Sequence, residues 1–233
     1  MTHRARGVRR HRRAVARASE EAMRPLAITL VLVCLASPSL ADRTVRTVRE
    51  DQPAAGLERI HVEFPVGRLV VEPSPDQRVH FVVQVRCKND SRRCEERADE
   101  VIIDARRSGG MLRLDAERDG SWGTLGLTLH GVLQMPAELA LRIKMGVGEL
   151  TVEGLTDDVS VNLGVGKAKV WLREADVRSV DISSGVGDAS LRVRRRSMEG
   201  SGWLGHHVRW NDGPGRAEVN VDLGVGEADV VLD

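Results

Sequence analysis

Met145-Gly146-Val147-Gly148-Glu149-Leu150 is the first of four copies of one phrase, and this phrase decides the fold. The others are Leu163-Gly164-Val165-Gly166-Lys167-Ala168, Ser184-Gly185-Val186-Gly187-Asp188-Ala189 and Leu223-Gly224-Val225-Gly226-Glu227-Ala228. Their first glycines lie 18, 21 and 39 residues apart (164−146, 185−164, 224−185). The last gap is about two periods, so a degenerate copy is expected at Ser201-Gly202-Trp203-Leu204-Gly205. A fixed period of about 20 residues marks an architecture that stacks small units into one continuous core.

Working outward from each Gly-Val-Gly, the residues alternate. Leu141, Ile143 and Met145 alternate with Arg142 and Lys144, and Leu150 and Val152 with Glu149, Thr151 and Glu153. The second copy repeats this with Val159, Val161, Leu163, then Ala168, Val170, Leu172, the outward positions including Trp171. Strict alternation means strands with one buried and one wet face. Each period therefore reads as strand, glycine corner, strand, polar turn. The pairs Gly146/Gly148, Gly164/Gly166, Gly185/Gly187 and Gly224/Gly226 are the structural corners, with positive φ expected at both glycines of a corner. Such a unit cannot bury its apolar face alone; stacked units can. The fold class is all-β, a single-domain β-solenoid or β-helix-like stack, with a β-sandwich as the alternative packing of the same strands. One short helix is expected near residues 91–100, capped by Asp90 or Ser91.

Upstream, Ile60, Val62 and Phe64 alternate into Pro65-Val66-Gly67, an early copy with Pro in place of the first Gly. Residues 79–85 and 127–135 read as strands, and 101–105 with 111–116 as a hairpin around Ser108-Gly109-Gly110. Residues 119–126 are Gly-rich and read as a loop, and residues 42–56 as a polar lead-in to the repeat domain at 57–233, regular from about residue 132.

The first 41 residues are of another kind. Residues 26–36 are an apolar run of 11 residues, preceded by Arg24 and followed by Ser39-Leu40-Ala41. That is a signal-peptide pattern with cleavage after Ala41, and the run is too short to span a bilayer. Met23 is the candidate true start, because Met23-Arg24-Pro25 opens an ordinary signal. Cys34 is not a lipidation site, because Val33 stands where a small residue is needed. Residues 1–41 hold eight Arg against two Glu, so +6; the remainder holds 27 basic (35−8) and 32 acidic (34−2) side chains, so −5. A mature chain of this charge is not expected to bind nucleic acid.

With the signal removed, Cys87 and Cys94 are the only cysteines, and in an exported protein the pair reads as a disulfide. They lack further ligands at metal-binding spacing, and six intervening residues do not make a redox motif. Gly164-Val165-Gly166-Lys167 is not a phosphate loop: Ala168 follows the lysine and the context is strands. Gly-x-Ser-x-Gly is absent. The column Glu149, Lys167, Asp188, Glu227 reads as a solvated face, and Asp157-Asp158 as turn residues. No catalytic residue, cofactor or metal is expected. Trp203, His206, Arg209 and Trp210 cluster in the irregular copy, where solenoids place their binding surfaces, and form the candidate ligand patch for sugar rings and hydroxyls. Packing of the two tryptophans into a wider corner is the competing reading.

Val132-Leu133-Gln134-Met135-Pro136 followed by Leu139-Ala140-Leu141-Arg142-Ile143 and the returning Gly-centred strands resembles the bacterial putative-adhesin β-strand-repeat family, a domain of unknown function. The resemblance covers residues 57–233, most strongly 132–193. It implies an exported all-β solenoid-like domain, and it brings no catalytic residues. The cysteine pair and residues 194–211 are not expected of that family. The leading functional expectation is an exported, non-enzymatic envelope or surface protein, adhesin-like, presenting a repetitive β face to a polysaccharide or protein partner. Its location would be the periplasm or cell surface, without a stable transmembrane span. The alternatives are a structural or regulatory envelope module and, third, a polysaccharide-active enzyme on a β-helix.

Overall fold

The computed structural model describes residues 43–88, 92–118, 126–194, 196–200 and 205–233. The signal segment, the cleavage point, the helix-capping residues Asp90 and Ser91, the 119–125 stretch and Trp203 lie outside them. The described chain is all-β with one short helix. Its strands are β1 (Arg43–Pro53), β2 (Arg59–Pro73), β3 (Arg78–Cys87), β4 (Val101–Ser108), β5 (Met111–Arg118) and β6 (Leu127–Met135). They continue with β7 (Ala140–Glu153), β8 (Val159–Leu172), β9 (Val177–Val193), β10 (Arg196–Glu199), β11 (His206–Trp210) and β12 (Ala217–Leu232). Helix α1 spans Arg92–Ala98, and a single 3-10 turn, Glu174–Asp176, joins β8 to β9. Residues 43–53, expected as part of a lead-in, form a strand on the outer side of β3. That strand has only Val45 and Val48 to bury and none of its residues is fully buried, which suits a sheet edge.

In β7, Leu141, Ile143 and Met145 are buried before the corner, and Leu150 and Val152 after it. The inward parity changes from odd to even across Gly146–Glu149, and it changes likewise in β2, β8, β9 and β12. A straight strand cannot do this, because period two fixes each parity to one face. The corner turns the chain so that both arms present their apolar residues to the same core. One continuous cluster indeed takes inward residues from both sets of arms. Full burial of each Val or Leu contributes about 1.5–3 kcal/mol relative to exposure, so a copy gains its stability from its neighbours' arms.

The corners stack in register. Val66 pairs Val147, Val147 pairs Val165, Val165 pairs Val225, and Val225 pairs Val186. Pro65-Val66-Gly67 is thus a true copy of the repeat. The spatial order β2-β7-β8-β12-β9 departs from chain order, however: the C-terminal copy sits between the second and third. Positive φ occurs at the second glycine of each corner (Gly148, Gly166, Gly187, Gly226) and not at the first. The first is glycine for a steric reason instead: a Cβ on Gly164 would lie 2.6 Å from the Gly146 carbonyl oxygen, and one on Gly224 2.4 Å from that of Gly164. Backbones this close leave no room for a side chain.

The parallel stack is closed by antiparallel strands on both sides. On the first arms the order is β4-β5-β2-β7-β8-β12-β9-β11; on the second it is β1-β3-β6-β2-β7-β8-β12-β9-β10. β5 and β6 together pair the two arms of β2, so they act as one further copy. The β4–β5 hairpin turns through Gly109 (φ 53°) and Gly110 (φ 76°), the positive-φ pair that a two-residue turn requires. The expected degenerate copy also exists in altered form: β10 and β11 flank residues 200–205 and run antiparallel along the two arms of β9. Cys87 at the end of β3 is disulfide-bonded to Cys94 of α1, with Cα atoms 6.1 Å apart. Phe64 and Phe81 meet edge-on in the core at 6.5 Å between centroids.

Candidate functional site: the outer face of the first arms

Parity makes the outward residues of the first arms line up in cross-strand rows, about 4.8 Å apart from strand to strand. One row reads Asp104, Asp115, Glu63, Lys144, Asn162, Asp222, Ser183, His207, one residue from each of eight strands. The next reads Arg106, Arg113, His61, Arg142, Ser160, Asn220, Asp181, Arg209. Every position in both rows is polar or charged. Across these two rows the face is continuous from β4 to β11 and without an apolar member.

Both of its flanks carry internal hydrogen bonds and ion pairs. On the β9–β11 side Asp181 accepts from His207 Nε2 at 2.7 Å and from Arg209 Nε at 2.8 Å. Burial alone would push the Asp181 carboxyl up, but these donors hold it below the ordinary aspartate range. Ser183 donates to Asp222 Oδ1 at 2.6 Å. On the β5–β2 side Arg113 bridges Asp115 and Glu63, with both contacts at 2.8 Å. His61 lies beside Arg113 and Arg142; burial, then the Arg113 charge, lowers its pKa, so the imidazole stays neutral. Between the flanks, Arg142, Lys144, Ser160, Asn162 and Asn220 make no side-chain hydrogen bond or ion pair within the described protein. A cleft of about 350 Å³ opens at the lower edge of this strip, with Arg59, His61, Arg142, Ser160, Glu218 and Asn220 on its walls. Asp158, also on its wall, is raised by burial and by the neighbouring Asp157.

The patch expected from the sequence is divided by the same alternation. His206, Val208 and Trp210 point to the core side of β11, whereas His207 and Arg209 point outward. Trp210 packs against the core cluster and lines a cavity with Met198, Val193 and Arg194, as a plug does. Arg209 joins the outer face through Asp181, so the structure does not bring Arg209, His206 and Trp210 onto one surface. Sequence reasoning misses the central strip because alternation marks each of its residues only as outward. Part of the signal is present: aligning the corners puts outward residues of different copies in one row, whereas which strands are adjacent, as β12 beside β8, is not a local property of the chain.

Two further surface features are regular. The corner valines Val147, Val165, Val225 and Val186 are 45–51% exposed and form a ridge. Beside it runs Arg68, Glu149, Lys167, Glu227, Asp188, with Arg68–Glu149 at 2.5 Å and Lys167–Glu227 at 2.6 Å. The hydrogen bond from Lys167 to Glu227 raises the lysine pKa. This column is a solvated ladder of alternating charge over its first four members. Trp171, 41% exposed, stands on the second arms between Glu153 and Val231. No helix among the described residues is long and apolar enough to cross a membrane.

No family model matches this chain, and no curated protein sequence matches it significantly. Among solved structures, the crystal structure of a "putative cell adhesion protein" from Clostridium sporogenes ATCC 15579 aligns with 81% of this chain and 100% of its own, at 16% identity and a TM-score of 0.51. A "putative adhesin" from Bacteroides fragilis NCTC 9343 aligns with 79% of this chain and 97% of its own, at 11% identity and a TM-score of 0.35, too low to carry an argument. The first likeness shows a shared all-β fold.

Proposed function

We propose that this is an exported, non-enzymatic, adhesin-like envelope protein whose first-arm outer face binds an acidic polysaccharide. The observation that carries the reading is the central strip, where two cations, a hydroxyl and two amides face solvent side by side without partners among the described residues. Amides and hydroxyls exchange hydrogen bonds with sugar hydroxyls, and Arg142 and Lys144 complement sugar carboxylates or sulfates. A flat row spanning eight strands suits an extended polymer better than a small molecule, which is usually enclosed. The likeness to a protein described as a cell adhesion protein supports the adhesin-like part. The signal-peptide pattern and the disulfide support export.

Binding of the purified chain to an array of acidic and neutral glycans tests this. Acidic glycans should be retained, and Arg142→Ala with Lys144→Ala should abolish retention while the melting temperature holds. Retention of none, or retention unaffected by the double variant, refutes the reading.

A further inference from the structure

The β4–β5 hairpin carries a carboxylate arrangement that borders the glycan-binding strip and shares only Lys144 with it. Its register sets Asp104 directly opposite Asp115, and β2 sets Glu63 directly opposite Asp115 on the other side. Like charges directly opposite destabilise a sheet, so three carboxylates in a row need a reason. Glu117 lies two residues on from Asp115, on the same face of β5. One oxygen from each of Asp104, Asp115 and Glu117 lies within 4.8 Å of the others. Asp115 is only 5% exposed. Its Oδ2 accepts from Arg113, but its buried Oδ1 has no partner. A buried carboxylate oxygen without a donor is costly, and a cation at that oxygen removes the cost. Asp115 and Glu117 also line a cavity of about 390 Å³, with Glu63 and Lys144 on its wall.

The charge count leaves room for a cation. Asp104, Asp115, Glu117 and Glu63 face Arg106, Arg113 and Lys144, so four minus three leaves one negative charge in excess. Glu117 has no ion-pair partner among the described residues. The ligands are all hard oxygens, which excludes a preference for soft metals. Ca²⁺ binds oxygens at about 2.3–2.6 Å, so two ligands across the ion are up to about 5 Å apart; Mg²⁺, at about 2.1 Å, needs a tighter set. We propose that Asp104, Asp115 and Glu117 form a Ca²⁺ site at the β4–β5 hairpin, with water completing the coordination. The site staples β4, an edge strand, onto β5.

Calorimetric titration and thermal melting of the chelator-treated full chain with CaCl₂, and with MgCl₂ at matched ionic strength, test the site. Ca²⁺ should bind with a Kd of about 10⁻⁴–10⁻³ M, the range of extracellular modules, and raise the melting temperature saturably. Glu117→Gln, at an exposed position that folding does not depend on, should weaken Ca²⁺ binding at least about tenfold. Asp104→Asn should do the same while slightly stabilising the metal-free protein, because it removes the repulsion with Asp115. No Ca²⁺ response to 10 mM (roughly ten times the weakest expected Kd), unchanged affinity in both variants, or an equal response to Mg²⁺ overturns the proposal.

Discussion

Three glycine-to-alanine variants separate the two physical costs that the stacked corners impose. Gly109 has φ 53° and nothing within 4 Å of an added methyl, so Gly109→Ala meets only the backbone cost. Gly164 has no positive φ, but its added Cβ would sit 2.6 Å from the Gly146 carbonyl oxygen, so Gly164→Ala meets only the clash. Gly166 has φ 145° and its Cβ would sit 1.8 Å from the Gly148 carbonyl oxygen, so Gly166→Ala meets both. A left-handed alanine costs about 1 kcal/mol. Forcing a methyl against backbone costs about 1–3 kcal/mol by overpacking, and the unusual φ at Gly166 about 1–3 kcal/mol more. For a domain of this size each kcal/mol moves the melting temperature by about 2–4 °C. Taking the middle of each range, about 1, 2 and 4 kcal/mol, gives losses of roughly 2–4 °C for Gly109→Ala, 4–8 °C for Gly164→Ala and 8–16 °C for Gly166→Ala. Calorimetric or circular-dichroism melts read them directly. If Gly166→Ala melts no lower than Gly109→Ala, the corners are not in backbone contact and the stacking argument is wrong.

His80 lies between Asp51 and Asp76, and its hydrogen bonds to these carboxylates raise its pKa above 6.5. A raised histidine contributes its full stability below pH 6.5 and loses it as pH climbs through the folded value, so the melting difference between the native chain and His80→Gln should shrink from about pH 6.5 upward; a constant difference refutes the pairing. The Cys87–Cys94 disulfide closes a short loop worth about 2 kcal/mol, so Cys87→Ser with Cys94→Ser should lower the melting temperature by roughly 4–8 °C. Mass spectrometry of exported, non-reduced protein should find a start near Asp42 and no alkylatable thiol; a retained leader or two reactive cysteines refutes export with disulfide formation. Ser184 occupies the inward slot held by Met145, Leu163 and Leu223 in the other copies, with its buried hydroxyl unpartnered, so Ser184→Ala should leave the melting temperature unchanged or raise it.

Alternation and glycine spacing make the strands, the corners and the shared parity switch legible, because they are local properties of the chain. The hairpin turn at Ser108-Gly109-Gly110 also fixes the facing of Asp104 and Asp115, by counting back from the turn. What escapes is the choice among equivalent partners. All four regular copies offer nearly the same edge of alternating apolar arms around Gly-Val-Gly, so local pattern cannot tell that β12 pairs β8 and β9 rather than lying beyond β9. β1 escapes for a different reason: an edge strand with one partner needs few apolar residues, and Val45 and Val48 give too weak a period. Among the described members of the candidate patch, Arg209 and Trp210 are separated because residues adjacent in sequence on a strand face opposite ways.

The interior position of β12 bears on whether the repeat could propagate from molecule to molecule. A regular copy at the end of the stack would present an unpaired parallel edge with its own glycine corner, which is a template for another chain. Here the last parallel copy is β9, and its outer edge is already taken by β10 on one arm and β11 on the other, both antiparallel. At the opposite side β5 and β6 are taken by β4 and β3 in the same sense. The C-terminus is tied in as well: Asp233 accepts from the Glu174 amide at 3.0 Å, and Leu232 accepts from the Arg194 amide at 3.0 Å. With the parallel stack covered on both sides by antiparallel strands, end-to-end growth has no free glycine corner to build on.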